Sequence, residues 1–259
     1  MPAPSVPKLT IFTFSPAWGL PTAGPFGIKL EACLRMLGVD YERRFQDDNR
    51  KGPKRKSPWM QDGDVTMGDT ELILQYVERK CGTKLDADLT PGERARAHVL
   101  RRMLEEQFHQ VFEYELMTSQ AGAALARELL SKAGVPRPLI GFVTGTIRRT
   151  FHKHLFERGI ARHAPADIEA MGRDDVDALV EWLGDRQWFI AEGPTKTDAS
   201  ALGLLAAAIR SPIESPVCSY ARSQPSLVRF VERGLAHFFP ELVQGARRDT
   251  EMLSSHAAA

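Results

Sequence analysis

Residues 57–70 read SPWMQDGDVTMGDT, and the fold turns on them. Asp62-Gly63-Asp64 is turn chemistry between two brief runs, Trp59–Gln61 and Val65–Met67, which makes a hairpin of short strands. Gly68-Asp69-Thr70 then opens a helix on which Ile73, Tyr76 and Val77 share a face. Upstream, Lys8–Phe14 (KLTIFTF) is β-branched and aromatic and reads as a strand. A loop dense in Gly and Pro, Ser15–Pro25, leads into a helical pattern from Phe26. There Leu30, Cys33, Leu34 and Leu37 form a single apolar face, and Gly38 takes the left-handed cap position. Asp40–Phe45 reads as a second strand despite Arg43 and Arg44, and a basic loop, Arg50–Lys56, returns the chain to Ser57. Strand, helix, strand, loop, hairpin and helix make an α/β domain of about 80 residues, helices on a mixed sheet.

Beyond it the strand signal vanishes. Residues 1–82 form the first domain, 83–89 a linker, and 90–259 an all-helical domain. Thr90-Pro91-Gly92-Glu93 is a capping box with proline at the first helical position, opening a helix to about Met117. Ala121–Gly159 is helical with an interruption near residues 134–138, and Pro165–Gly184 carries Val176, Leu179, Val180 and Leu183 on one stripe. A second capping box, Thr195 to Asp198, starts a helix that is nearly all apolar through Ile209, the mark of a buried central helix. A last helix spans about Ser226–Phe238, and the tail Ser254–Ala259 reads as frayed.

Composition narrows the function classes. Of 259 residues, 43% are hydrophobic and 26% charged, an ordinary globular balance. The 34 Lys+Arg nearly cancel the 33 Asp+Glu, leaving +1, which excludes the strongly basic footprint of a nucleic-acid binder. The basic cluster of Arg43, Arg44, Arg50, Lys51, Lys54, Arg55 and Lys56 is interrupted by Asp47 and Asp48 and reads as a solvated loop. Cys33, Cys81 and Cys218 are odd in number and far apart, so neither a disulfide framework nor a structural zinc site is supported, and a reduced, cytoplasmic compartment fits. No signal peptide is visible at the amino terminus. The longest apolar run, Ala201–Ile209, falls far short of the roughly 20 residues that span a bilayer. His152 and His154 are two apart and share no helical face, and no metal site is expected.

This architecture, with certain residues, resembles the glutathione S-transferase superfamily along nearly the whole chain. Pro53-Lys54-Arg55-Lys56-Ser57-Pro58 resembles the family's loop before the cis-proline, Asp69-Thr70 its acidic-Ser/Thr pair, and Thr195–Asp198 its buried capping box. Pro16–Pro21, Gly24–Glu31, Leu34-Arg35-Met36 and Asp174–Leu179 are similar to the failed-axon-connections and metaxin-like branch. The resemblance implies a thioredoxin-like first domain and an all-α second domain. It also implies glutathione as substrate or co-substrate, a small electrophile met in a cleft between the domains, and a homodimer.

Carried over residue by residue, the resemblance makes Pro58 a cis-proline presenting the Ser57 backbone to the cysteinyl part of glutathione. It sets the γ-glutamyl carboxylate on Thr70, its ammonium on Asp69, and the glycyl carboxylate on Lys54. Independently of any family, a helix start such as Asp69-Thr70 is an anion site, and Asp and Thr are also ordinary N-caps. The branch leads one to expect a Ser and then Pro-Phe-Cys at the start of the first helix; here stand Gly24, Pro25, Phe26 and Gly27. Hydroxyl and second cysteine are both missing. Ser15, Trp18 or Thr22 would then have to act as the catalytic donor, or backbone N–H groups near Phe26 would; Ser15 and Thr22 are also plain turn residues. Cys33 reads as core. Phe108, His109, Phe112 and Tyr114 are candidates for the wall of the second substrate, although Phe108 and Phe112, four apart, equally suit core packing.

Three functions follow: a glutathione transferase working by thiolate stabilisation and positioning without a covalent intermediate; a non-catalytic module of the same fold that binds a partner protein; and a glutathione-dependent isomerase, dehalogenase or lyase.

Overall fold

The computed structural model describes residues 9–132 and 134–242; Lys8 and the tail Ser254–Ala259 lie outside the described residues. By packing the chain gathers into two compact units. One takes residues up to 97 with 187–207 and the described chain from 229; the other takes 98–186 with 208–228.

In the first unit four strands, β1 (Leu9–Thr13), β2 (Tyr41–Phe45), β3 (Trp59–Asp62) and β4 (Val65–Gly68), pair in the order β2-β1-β3-β4. β1 runs parallel to β2 and antiparallel to β3, and β3 turns into β4 at Gly63, whose φ of +58° suits a residue without Cβ. Phe12 opposes Trp59, and their rings stack at 3.6 Å. The helices α1 (Pro25–Met36) and α2 (Thr70–Cys81) pack together. This is the thioredoxin-like arrangement the sequence predicts.

The expected single apolar face of α1 needs correction. Residues Gly27–Leu34 are buried without a break, Lys29 and Glu31 among them. Lys29 ion-pairs with Glu71 at 3.1 Å, while Glu31 accepts from the Tyr41 hydroxyl at 2.8 Å and pairs with Arg43 at 3.1 Å. Burial still holds the Glu31 carboxyl above its ordinary range, against the pull of Arg43. The arginine that weakened the strand reading of β2 is therefore the partner of a buried acid. Two glycines bring the central helix α8 (Lys196–Arg210) and the last helix α10 (Pro225–Phe238) close. A Cβ on Gly203 would stand 2.2 Å from the Pro25 carbonyl, and one on Gly234 2.8 Å from Leu202. The capping box closes as expected: Asp198, fully buried, accepts from Thr195 N–H at 2.8 Å and Oγ1 at 2.7 Å, and also from Phe189 N–H at 2.7 Å.

The helix begun at Thr90 comprises α3 (Pro91–Arg102), whose first seven residues belong to the first unit, and then, in the second unit, a π-helical turn at Met103–Phe108 and α4 (His109–Thr118). The widened turn was not legible in the sequence. After it come α5 (Gln120–Lys132), α6 (Arg137–Arg158) and α7 (Pro165–Leu183), matching the expected interruption. A short helix, α9 (Pro216–Arg222), was not anticipated. Its cap comes from afar: buried Glu115 accepts from Ser215 Oγ at 2.6 Å, Val217 N–H at 2.9 Å and Cys218 N–H at 3.2 Å. No pattern within three or four residues could announce a cap about 100 positions away. No helix among the described residues is long and apolar enough to cross a membrane.

Candidate functional site

The pairings of the sheet gather the sequence candidates of the first unit at one end. Because Phe12 opposes Trp59 and Trp59 opposes Gly68, three chain segments leave the sheet side by side. They are the loop after β1, Ser57-Pro58 before β3, and Asp69-Thr70 after β4. The Ser57–Pro58 peptide is cis, as the resemblance implies.

The start of α2 is fully equipped. Asp69 sits at φ +86°, a left-handed conformation rare outside glycine, and its Oδ1 accepts from Glu71 N–H at 3.0 Å and Leu72 N–H at 3.3 Å. Lys54 lies over the adjoining Gly68, and its Nζ is 4.0 Å from Asp69 Oδ2. Thr70, beside it, is buried. Lys54, Ser57, Pro58, Asp69 and Thr70 are thus brought together, a cation, a carboxylate and a helix start within one neighbourhood. Arg43, paired with buried Glu31, departs from the expected solvated loop, and the other members of the basic cluster keep to it: Arg44 pairs with Glu42, Arg50 with Asp48, and Lys51, Arg55 and Lys56 are exposed.

The start of α1 is built differently. Gly24, its N-cap, offers no side chain, and Phe26 is half-buried in the first turn. Nor is the space at Gly24 vacant. A Cβ there would come within 2.9 Å of the Phe14 ring, and a Cβ on Gly27 within 2.7 Å of Thr22 Cγ2. The two positions where the resemblance leads one to expect a hydroxyl and a thiol are therefore filled by neighbouring side chains. Thr22 is wholly buried, and its Oγ1 accepts from Gly24 N–H at 3.2 Å, which makes it the cap of this turn. The Ser15 hydroxyl donates to Asp47 Oδ2 at 2.7 Å, while the Ser15 amide donates to Oδ1 at 2.8 Å. Its single proton is committed to that carboxylate. Trp18 and Gly19, at φ +55° and +72°, form a two-residue turn closed by Leu20 N–H to the Ala17 carbonyl at 2.8 Å.

Cys33 lies buried in α1, and burial pushes its thiol up to about 12, away from nucleophilic chemistry. In the second unit Phe108 and Phe112 are core residues, so the packing reading of their spacing is the one realised; His109 and Tyr114 are half-buried. Among the described residues no group of three His, Cys, Asp or Glu could hold a metal ion. Sequence reasoning passed over Phe14, Asp47 and Lys29. Only Asp47 could have been suspected, as an acid interrupting a basic run.

Comparison with known proteins follows the same outline. Residues 25–122 match the model of the glutathione S-transferase N-terminal domain, and residues 172–234 that of the glutathione S-transferase C-terminal domain. The chain is 26% identical over 230 residues to isoprene-epoxide–glutathione S-transferase of Rhodococcus sp. (strain AD45), covering 87% of this chain and 97% of that one. It is 24% identical over 245 residues to Failed axon connections of Drosophila melanogaster, covering 89% of this chain but 58% of the longer relative. Among solved structures the β-etherase LigF of Sphingobium sp. strain SYK-6 superposes with a TM-score of 0.61 at 17% identity, over 92% of this chain and 99% of that one.

Proposed function

Since the chain belongs to the glutathione S-transferase superfamily, we propose that it binds glutathione at the sheet end of the first unit and presents the thiolate to a small electrophile. The observation that carries this reading is the assembly of Lys54, Ser57, cis-Pro58, Asp69 and Thr70 by the Trp59–Gly68 pairing. In it the start of α2 and Thr70 take the γ-glutamyl carboxylate, and the free edge of Asp69 takes the ammonium. Lys54 takes the glycyl carboxylate, and the Ser57 backbone pairs with the cysteinyl peptide.

Ser15 is committed to Asp47 and Thr22 is buried, so neither of the two hydroxyls proposed from the sequence is free to stabilise the thiolate. We assign that role to the amino-terminal end of α1, through its dipole and the Phe26 N–H. The thiol proton leaves to solvent and the sulfur attacks the electrophilic carbon, whose leaving group or opened ring oxygen takes up a proton. No covalent enzyme intermediate is involved. The isoprene-epoxide relative makes an epoxide the first electrophile to try. A cytoplasmic homodimer is the species we propose, and the three free cysteines accord with a reducing compartment.

The packing of Phe14 on Gly24 favours a second reading, a module that binds a partner protein without catalysing transfer. Calorimetric titration with glutathione, in parallel with an Asp69→Ala, Thr70→Ala variant, tests the site. Saturable binding lost in the variant supports it, and no binding at millimolar glutathione removes the enzyme reading. The ultraviolet absorbance of the bound thiolate then separates the two functions. A bound thiol titrating well below the free value of about 8.5 marks a transferase, and an unshifted one marks the module.

A further inference from the structure

The matched family spans stop at residue 122 and resume at 172, so α6 lies wholly outside them. Within its unit α6 is held against α4 and α5, and of its 22 residues only Thr144 and Leu155 are fully buried. Its outward side is unusual. Leu139, Phe142 and Phe156 are exposed there, Phe142 at 75%, the most exposed large apolar side chain among the described residues. Positions 139, 142, 146, 149, 153 and 156 follow one another at three- and four-residue steps and form one stripe about 26 Å long. Arg149 and Lys153, both exposed, fall in the same stripe.

The segment is cationic as well; Arg148 turns inward to the Thr118 carbonyl and Arg158 pairs with Glu113 at 3.0 Å, which leaves Arg149 and Lys153, the latter 3.8 Å from Glu157, on the stripe itself. Between 137 and 163 six cations (Arg137, Arg148, Arg149, Lys153, Arg158, Arg162) stand against Glu157 alone, +5 in a chain of +1, so the remainder is net −4. We propose that this face of α6 docks on the surface of an anionic phospholipid bilayer. Phe142 and Leu139 would enter the boundary between headgroups and acyl chains, and Arg149 and Lys153 would meet lipid phosphates. A second copy seated on the same face is the rival occupant, and the test below separates it from lipid. Gly141 and Gly145 flank Phe142 with no neighbouring atom within 4 Å of where a Cβ would stand, which leaves room there for lipid headgroups.

Vesicle flotation with the full chain tests the proposal. One set of vesicles is phosphatidylcholine alone; in the other, phosphatidylserine makes up about a third of the lipid. The expected result is binding to the anionic vesicles more than about tenfold stronger than to the neutral ones, lost at about 0.5 M sodium chloride. Leu139→Ser with Phe142→Ser, and separately Arg149→Glu with Lys153→Glu, should each weaken binding by more than about tenfold. All four side chains are exposed, and circular-dichroism melts check that both variants stay folded. Binding indifferent to phosphatidylserine, or variants that bind like the parent, would overturn the proposal. So would a parent dimer in light scattering that Phe142→Ser dissociates, because the face would then belong to a second copy.

Discussion

Two helix starts meet at the same end of the sheet, and they are furnished in opposite ways. α2 begins with a charged cap, a lysine 4.0 Å away and a buried threonine. α1 begins with a glycine whose missing side chain is replaced by the ring of Phe14, above a threonine that serves only the backbone. A glutathione site needs a place to hold an anionic peptide and a place to ionise its thiol. In the site proposed here the first is built of side chains and the second is left to the backbone. Holding and ionising would then reside on separate helices, so that one can be altered while the other stands.

The largest expected effect tests the richer of the two starts. Asp69→Ala with Thr70→Ala removes two groups proposed to bond charged parts of the ligand, each contributing about 1.5–3 kcal/mol. Glutathione affinity should fall by roughly a hundredfold or more in calorimetry. Retained affinity would mean that the start of α2 is an N-cap and nothing else.

The poorer start is tested by refilling it. Gly24→Ser puts a Cβ against the Phe14 ring, and overpacking of that kind costs about 1–3 kcal/mol of stability, to be read in denaturant melts. Activation of the thiol should not improve. Phe14→Ala with Gly24→Ser clears the space, and the bound thiol should then titrate lower than in the parent. If the single variant already lowers it, Phe14 is not what closes the position.

The contrast between the two starts also tracks what was legible beforehand. The hairpin, the α2 cap and both capping boxes are written within three or four residues, and Thr90–Glu93 and Thr195–Asp198 close as their spacing predicts. The cis state of Pro58 came from the resemblance rather than from any local rule. What escaped is long-range. The cap of α9 is Glu115, the partner of buried Lys29 is Glu71, and the occupant of the Gly24 position is Phe14, ten residues upstream across a loop. A helix with Lys29 and Glu31 in its sequence also hides its full burial, because both charges find partners outside the helix.

A smaller effect concerns Ser15, a half-buried hydroxyl in the loop before α1. Ser15→Ala removes the donor to Asp47 and should cost about 1 kcal/mol in stability while leaving glutathione turnover and the bound thiol's titration unchanged. Lost turnover in a folded Ser15→Ala variant would show that Ser15 exchanges Asp47 for the thiol once ligand is present, restoring a side chain to the poorer start.

The smallest effect guards the pH measurement on which the comparison rests. Burial, reinforced by the neighbouring Asp174, raises the Asp175 carboxyl from its ordinary 3.8 to about 7. One of its oxygens is buried without a hydrogen-bond partner. The folded chain therefore keeps a proton that the unfolded chain releases between about pH 4 and pH 7. The contribution to stability is greatest at the acid side of that window and is lost as pH rises through it. Asp175→Asn cannot ionise, so the decline should disappear. The variant should melt a few degrees above the parent at pH 8 and level with it near pH 4, a gain of no more than about 1 kcal/mol for a half-exposed group. A pH profile of transfer taken in this background lacks the Asp175 step, so an inflection that persists there does not come from that carboxyl. If the inflection leaves with Asp175, it was the carboxyl's, and the profile then carries no sign that α1 acts on the thiol.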